Sequence, residues 1–271
     1  MKTIYYYQTF VGLHKLMTHL QDIDVINVSS IHFDEDKHGT KNIYLNDNLP
    51  YDKIFDQMWT ETESCSSQGV TIILMVGGAG GAYGNLFKDF STYYPMLKNL
   101  LESKPFIKGV DLDIEEEVTM QQVKMLIRRL KKDFGQDFIL TMAPVSSSMD
   151  SQEGDTFSKN LVSFSYKELF CSEEGQMISW FNVQCYYSFS FLTYDSIIKN
   201  GYPPEKIVMG HESGQFTKET FQNALDQVKK ILQEYPTMGG VYDWEYLNAP
   251  PDTQDPSFWA RLMKRCSEDN L

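Results

Sequence analysis

Strand-like segments alternate with helix-like segments along the whole of this 271-residue chain. Strands are predicted where apolar residues are continuous or alternate, and helices where they recur three or four positions apart. The predicted strands are residues 4–9, 25–31, 71–76, 108–115, 138–142, 180–186, 206–210 and 239–244, and the clearest helices are 51–68, 86–101, 120–133, 217–234 and 257–266. Eight strands, most of them followed by a helix, predict a (β/α)8 TIM barrel more than an open doubly wound sheet.

Composition and charge narrow the classes of protein further. With 42% hydrophobic and 14% aromatic residues, the chain can bury a large core. No shift in composition marks a linker, so we expect a single domain over residues 1–271. The net charge of -13 is unfavourable for binding nucleic acid or an anionic membrane surface. Neutral, polar substrates remain compatible with it.

The cysteines and the N-terminal residues give indications of the cellular compartment of the protein. The four cysteines lie far apart without C-x-x-C spacing, so we expect buried free thiols rather than a zinc site or a disulfide framework. The first residues lack the apolar run of a signal peptide, and no segment reaches the length of a membrane span. We expect a soluble monomer that is cytoplasmic or secreted as a processed chain.

The segment Lys108–Glu115, K-G-V-D-L-D-I-E, carries the strongest chemical signal. Its alternation of apolar residues and acids is typical of a strand, and places Asp111, Asp113 and Glu115 on one face. Neighbouring carboxylates repel and raise one another's pKa, so such clusters are usually retained for chemistry. The alternative is an edge strand that uses its charges against aggregation. In a barrel, Glu115 lies at the carboxyl end of the strand, where active sites form.

Two further segments are unusual. Residues 77–84, G-G-A-G-G-A-Y-G, require sharp turns or a close approach of another group. They lack the spacing and the lysine of a phosphate-binding loop. Residues 146–165 are polar and too long for a simple connection, so we expect a functional loop there.

These motifs resemble glycoside hydrolase family 18, the chitinases, and particularly the small class III, hevamine-like members. The family's fourth-strand signature D-G-x-D-x-D-x-E is similar to residues 108–115 at every position but the first, where Lys108 stands. Val76 replaces the serine of the family's S-x-G-G segment. Residues 142–144 (M-A-P), 184–186 (Q-C-Y) and 239–244 (G-G-V-Y-D-W) resemble the ends of the fifth, sixth and eighth barrel strands.

The resemblance implies a retaining, substrate-assisted hydrolysis of β-1,4-linked N-acetylglucosamine, without a metal or another cofactor. Glu115 is then the general acid, and Asp113 orients the acetamido group of the sugar. Asp111 shares a proton or a hydrogen bond with Asp113, and Tyr186 donates to the acetamido oxygen. The expected substrate-binding residues are Trp244, Gly78, Ala79, Met142, Gln184, Tyr5 and Gln8.

Several alternatives stay open at this stage. Tyr186 and Trp244 are alternatively core aromatic residues, and His211 lies either near the site or on the surface. Tyr187 stands where class III chitinases usually carry asparagine, which bears on sugar specificity. The rival functions are an endo-β-N-acetylglucosaminidase that acts on N-glycan cores and a non-catalytic chitin-binding lectin of the same fold.

Overall fold

Nine β-strands and nine α-helices are formed by residues 1–150 and 162–268, the part of the chain that the computed structural model describes. The strands are β1 (Lys2–Tyr7), β2 (Val25–Glu35), β3 (Lys41–Leu45), β4 (Thr71–Gly77), β5 (Ile107–Asp113), β6 (Ile139–Met142), β7 (Trp180–Gln184), β8 (Ile207–Glu212) and β9 (Gly240–Trp244). The helices are α1 (Asp56–Ser67), α2 (Tyr83–Lys88), α3 (Phe90–Ser103), α4 (Met120–Phe134), α5 (Tyr166–Phe170), α6 (Glu173–Gln176), α7 (Phe191–Lys199), α8 (Phe221–Glu234) and α9 (Ser257–Glu268).

Eight of the strands close into a parallel barrel. Their order is β1-β9-β8-β7-β6-β5-β4-β2, and β1 also pairs with β2. The remaining strand, β3, pairs antiparallel with the extended end of β2 and forms a hairpin above the barrel. The predicted (β/α)8 barrel is confirmed, with this hairpin added to it.

The hairpin was missed because residues 34–48 are polar and rich in turn-forming residues. Its turn is closed locally, since the Asp36 carboxylate accepts hydrogen bonds from the backbone N–H groups of His38 and Thr40. The predicted helix 86–101 is in fact two helices, α2 and α3. The Asp89 side chain accepts from Thr92 N and caps the start of α3, so the chain direction changes there.

Alternation along each strand separates two apolar layers. One face packs inside the barrel, where the buried apolar residues are Ile4, Tyr6, Val25, Ile73, Met75, Trp180, Val208 and Tyr242. The other face packs against the helices in a larger core. The expected position of two substrate-binding residues is therefore wrong, because Tyr5 and Met142 belong to the helix-facing layer.

Helix α4 shows how the chain returns from one strand to the next. Thr119 and Gln122 form a capping box at its start, and Gly135, with a φ of 92°, ends it. Val123, Leu126, Ile127 and Leu130 form its buried face. Each such side chain stabilises the fold by about 1.5–3 kcal/mol relative to an exposed one. These residues belong to the helix-facing core that also contains Val110 and Leu112 of β5, the strand that carries the acids.

Two remaining expectations concern the cysteines and the membrane. Cys65, Cys185 and Cys266 are buried as predicted, whereas Cys171 is exposed. Over residues 1–150 and 162–268, no helix has the length and apolar character needed to cross a membrane.

A glycine inside the barrel allows an aromatic residue to reach the active-site end. A Cβ atom built on Gly210 lies 1.8 Å from the ring of Tyr242, whose hydroxyl is 3.5 Å from the hydroxyl of Tyr186. We expect Gly210→Ala to lower the free energy of unfolding by about 1–3 kcal/mol, because the buried ring must move. Urea unfolding measures this.

Gly214 provides the matched control, since a Cβ atom there meets nothing within 4 Å. Gly214→Ala is expected to leave stability within about 0.5 kcal/mol of the wild type. Equal stability of the two variants would contradict the packing described for Tyr242.

Candidate active site

An open cleft of about 960 Å³ lies at the carboxyl ends of β1, β2, β4 and β9. The β2–β3 hairpin forms one wall, and the glycine-rich segment after β4 forms part of the floor. Its lining residues include Gln8, Ser30, His32, Asp34, Tyr44, Asn46, Gly78, Ala79 and Trp244. Of the three acids of the β5 segment, Asp113 lies closest to Gly78 of the cleft lining. A Cβ atom on Gly78 would lie 3.5 Å from Asp113 Oδ2.

Asp111 is the deepest of the three acids and is completely buried. Tyr6 Oη donates to its Oδ2 atom at 2.7 Å. Thr141 Oγ1 and Asn182 Nδ2 donate to its Oδ1 atom at 2.5 and 3.1 Å. Burial raises the pKa of Asp111, and these three hydrogen bonds oppose the rise. The carboxyl group therefore occupies a dry but fully partnered site.

Asp113 lies one step higher on the same face of β5 and is 6% exposed. Its pKa is raised well above the ordinary range, first by burial and then by the charges of Glu115 and Asp111. Gln184 Nε2 donates to Asp113 Oδ1 at 3.2 Å. The folded protein therefore holds a proton on Asp113 more tightly than a free aspartate does, because the site is buried and two further carboxyl groups lie nearby.

Glu115 follows β5 rather than belonging to it, since the strand ends at Asp113. It is half-buried. Gln184 Nε2 donates to Glu115 Oε1 at 3.1 Å and to the backbone oxygen of Ala143 at 2.9 Å. One amide group thus contacts Asp113 and Glu115 together. This brings Gln184 into the site at the position that the sequence predicted.

Tyr186 and Trp244 lie at the ends of β7 and β9, and both are half-buried. Burial is the first cause that raises the pKa of Tyr186 well above its ordinary value, and the charges of Asp113 and Glu115 add to it. The Trp244 ring packs 5.3 Å from the Tyr6 ring, at the inner edge of the cleft. Neither residue is simply a core aromatic side chain, because each leaves part of its surface at the site.

The glycine-rich segment serves the acids directly. A Cβ atom on Gly77 would lie 2.2 Å from the backbone oxygen of Asp113, and Gly78 N donates to that same oxygen at 2.9 Å. Glu116 accepts hydrogen bonds from the backbone N–H groups of Ala82, Tyr83 and Gly84. The segment therefore holds the end of β5 in place, while Ala79 is exposed to the cleft.

Gln8 lies in the cleft as predicted, and Asn46 of the hairpin holds it. Asn46 Nδ2 donates to the Gln8 backbone oxygen at 3.1 Å, and Gln8 Nε2 lies 3.5 Å from Asn46 Oδ1. The backbone N–H groups of Gln8 and Thr9 both donate to Glu245 Oε2 at 2.8 Å. This end of β1 is thus fixed to the hairpin and to the segment after β9.

Tyr5 and Met142 are placed away from the site. Tyr5 is fully buried, its hydroxyl donates to the Pro256 backbone oxygen at 2.5 Å, and its ring lies 4.9 Å from that of Trp259. Met142 is fully buried and pairs with Leu112, a neighbour on the helix-facing side of the sheet. Alternation explains both corrections, because the residues that face the barrel interior are Tyr6 and Thr141.

Two other residues also have clear positions. Lys108 is exposed and donates to the Pro105 backbone oxygen at 2.8 Å, on the face opposite the acids as predicted. His211 is neither in the cleft nor on the surface. It is fully buried, accepts from Trp259 Nε1 at 2.8 Å and lies 3.2 Å from Asp243. Burial lowers the pKa of His211 to about 4, so it supports the helix-facing layer as a neutral ring.

The three residues that donate hydrogen bonds to Asp111 were not predicted from the sequence. Tyr6, Thr141 and Asn182 lie on β1, β6 and β7, and all three face the barrel interior. Applying two-residue alternation from Gln184 would have found Asn182. Tyr6 required the register of β1, which a run of three tyrosines leaves ambiguous. Apart from their polarity, nothing in the sequence indicated that the hairpin residues would line the cleft.

Asp113 makes stability depend on pH in a predictable direction. The raised pKa means that folded Asp113 releases its proton at a higher pH than the unfolded chain, where an aspartate ionises at about pH 4. The stabilisation that this proton contributes is present in full below about pH 4. It is lost as the pH rises through the pKa of Asp113 in the folded state. We expect Asp113→Asn, which does not ionise, to be more stable than the wild type by about 1–3 kcal/mol at pH 7.

The measurement is urea unfolding of both proteins at pH 4, 5.5 and 7. The advantage of the variant should shrink toward pH 4, where Asp113 is protonated in both the folded and unfolded wild type. Asp137→Asn at an exposed position is the control for a general charge effect. An advantage that does not change with pH would contradict a proton on Asp113.

Tyr187, the departure from the class III pattern, has an unusual backbone. Its φ is 58°, its side chain is 79% exposed, and its N–H donates to Gln215 Oε1 at 3.0 Å. This left-handed conformation is unfavourable for tyrosine but common for asparagine. The exposed ring has little packing to offset the cost.

We therefore expect Tyr187→Asn to raise the free energy of unfolding by about 0.5–1 kcal/mol. Calorimetry should show a rise in melting temperature of about 2 °C. Tyr187→Phe keeps an aromatic residue at the same left-handed backbone position, so its melting temperature should equal that of the wild type. A loss of stability in the asparagine variant would mean that the ring contributes more than its backbone costs.

Comparison with known proteins agrees with this geometry. The family model for glycosyl hydrolases family 18 matches residues 2–249. The structure of a fungal endo-β-N-acetylglucosaminidase from that family is 30% identical, with a TM-score of 0.85 over 100% of this chain and 99% of the other. The chitinase ChiC from Aspergillus fumigatus is also 30% identical, with a TM-score of 0.81 over 97% and 98%.

A curated relative, Chitinase 2 from Rhizopus oligosporus, is 27% identical over 68% of this chain. The chain spans about a third of the length of that relative, 35%. The family model covers the barrel and every acid of the site. This chain belongs to glycosyl hydrolase family 18.

Proposed function

We propose that this chain hydrolyses β-1,4 bonds of N-acetylglucosamine polymers or oligosaccharides by a retaining, substrate-assisted mechanism. The observation that carries the proposal is the contact of one amide, Gln184 Nε2, with both Asp113 and Glu115, above the buried and fully partnered Asp111. The site offers three carboxyl groups in different environments at the carboxyl end of a barrel strand. Family 18 enzymes use such a set together with the substrate's own acetamido group.

Glu115 is the proposed general acid. It is the acid nearest to solvent of the three, since it follows the end of β5 and is half-buried. The hydrogen bond from Gln184 fixes one of its oxygens. Its other oxygen is then available to protonate the glycosidic oxygen as the bond to the leaving sugar breaks.

Asp113 and Asp111 are proposed to stabilise the positive charge of the intermediate. The acetamido carbonyl oxygen attacks the anomeric carbon and forms a positively charged oxazolinium ring. A carboxylate at Asp113 stabilises this ring and accepts a hydrogen bond from the acetamido N–H group. The proton held by Asp113 at rest must move away, and Asp111, already supported by three donors, is the neighbouring carboxyl group that shares it.

Trp244 and Tyr186 are the proposed sugar contacts at this centre. Trp244 offers the face of a rigid ring at the inner edge of the cleft, which suits the apolar face of a sugar. Tyr186 keeps its proton because burial raises its pKa, so its hydroxyl remains a donor for the acetamido oxygen. Gln8 and the glycine-rich segment extend the surface for neighbouring sugars.

The similarity to an endo-β-N-acetylglucosaminidase over the whole chain favours a second candidate, cleavage within the chitobiose core of N-glycans by the same chemistry. The wide cleft of about 960 Å³ has room for a branched glycan as well as for a linear chain. A lectin without catalysis is less favoured, because Asp111, Asp113, Glu115 and Tyr186 are all present and grouped at one centre.

Two substrates tested with one acid variant decide among these functions. We expect the wild type to release fluorophore from labelled chitotriose, and Glu115→Gln to lower kcat by about 10²- to 10⁴-fold, since the general acid is lost. A glycoprotein bearing N-glycans is incubated in parallel and followed by mass spectrometry. NMR of the first product should show retention of the β configuration.

Glu117→Gln is the matched control, because Glu117 is an exposed acid two residues further along. It should keep the wild-type rate. Release of N-glycans without cleavage of chitotriose would select the second candidate. Binding to chitin without turnover of either substrate would favour the lectin, and an active Glu115→Gln enzyme would overturn the assignment of the acid.

A further inference from the structure

A second, very small cavity is lined in part by the proposed general acid, Glu115, which does not line the main cleft. Its lining residues are Ile114, Glu115, Ala143, Val145, Ser148, Val162, Tyr166 and Gln184. It connects the end of β5 with the loop after β6 and with the first residue of α5. Neither the family chemistry nor the sugar-binding surface described above makes use of this cavity.

The hydroxyl of Tyr166 is the unusual group in this cavity. Tyr166 is 2% exposed, and its hydroxyl has no hydrogen-bond partner among residues 1–150 and 162–268. Its ring is held between Phe164 and Phe181, at 4.9 and 6.5 Å between ring centroids. A buried hydroxyl without a partner costs about 1–3 kcal/mol relative to a paired one. A bound water molecule is a partner that can satisfy a buried hydroxyl of this kind.

The charges of three nearby acids act on the Tyr166 hydroxyl. After burial, the next causes that raise the pKa of this phenol are the charges of Asp113, Asp111 and Glu115. The group therefore stays protonated and remains a hydrogen-bond donor. Two residues that line the same cavity, Glu115 and Gln184, carry side-chain oxygen atoms that accept hydrogen bonds.

The size of the cavity matches one water molecule. Its water-accessible volume is about 10 Å³, which is at the lower limit of about 10–15 Å³ that a single bound water requires. A buried water also needs two to four polar partners. Tyr166, Glu115, Gln184 and Ser148 supply donors and acceptors from four different parts of the chain.

We propose that this cavity binds one structural water molecule and that Tyr166 positions the general acid through it. The Tyr166 hydroxyl donates to the water, and the water donates to Glu115 and to the Gln184 amide oxygen. Together with the direct bond from Gln184 Nε2, this orients the carboxyl group from two sides. Tyr166 touches no substrate in this arrangement and is a positioning residue. The catalytic part of the inference rests on the proposed function.

Tyr166→Phe removes the hydroxyl that donates to the proposed water and so leaves the general acid held from one side only. We expect kcat to fall about fivefold with KM changed less than twofold, because the acid is less well oriented while the sugar contacts remain.

Tyr202→Phe is the matched control. The Tyr202 hydroxyl is also buried without a partner among the residues described, but Tyr202 does not line this cavity. Deleting the Tyr202 hydroxyl should leave kcat and KM unchanged and should not lower the melting temperature. If Tyr166→Phe behaves in the same way, or loses stability without a fall in kcat, the positioning role is overturned.

A crystal structure in which ordered waters are visible tests the site independently of activity. The wild type should show density within about 3.2 Å of Tyr166 Oη, and Tyr166→Phe should lose or displace it. A protein side chain in that place, or no density there, would overturn the water site. If the wild type cleaves neither labelled chitotriose nor N-glycans, the proposed function fails, while the density at Tyr166 in the two crystal structures still decides the water site.

Discussion

The burial of Asp111 is the constraint on which the arrangement of this barrel depends. A carboxyl group without solvent costs several kcal/mol unless it is paired or neutral. Here, three donors on three different strands offset that cost: Tyr6 on β1, Thr141 on β6 and Asn182 on β7. A shift of one residue in any of these strands would turn the donor outward. The acid therefore fixes the register of the barrel as much as the apolar layers do.

The other two acids of the active site lie progressively closer to solvent than Asp111. Asp113 lies two residues further along β5 and is nearly buried, so its pKa is raised by burial and by the neighbouring acids. Glu115 lies beyond the strand, where solvent and substrate reach it. Gln184 contacts both through one amide group. The change from a fully buried to a half-buried environment places the three carboxyl groups in different surroundings, which the proposed chemistry requires.

The sequence predicted the barrel and the acid segment well, because both are recorded in local patterns. Eight apolar runs and the alternation of residues 108–115 are properties of short segments. Residues whose position depends on register were harder to predict. Tyr5 was expected in the site, but Tyr6 is the residue that reaches Asp111. Met142 was chosen by its place in a motif, whereas Thr141 faces the barrel interior.

The site also contains features for which a single sequence offers almost no signal. The β2–β3 hairpin consists of polar residues whose pairing is set by tertiary contacts. The cavity at Tyr166 arises where the segment after β5, the loop after β6 and α5 converge, from residues up to 70 positions apart in the lining set. Packing defects and hydrogen bonds left open for water are properties of the assembled core. They become visible only when all the strands and helices are in place.

The walls of the cleft are held by a different kind of interaction from its centre. Asn46 links the hairpin to β1 through polar contacts, and Lys41 pairs with Asp89 at 2.5 Å on a partly exposed surface. Such surface pairs contribute about 0–1 kcal/mol each and weaken with salt. Changes in the hairpin therefore alter the cleft without disturbing the buried hydrogen bonds of Asp111. In the proposed function, the cleft wall can therefore set the choice of substrate while the buried acid network stays the same.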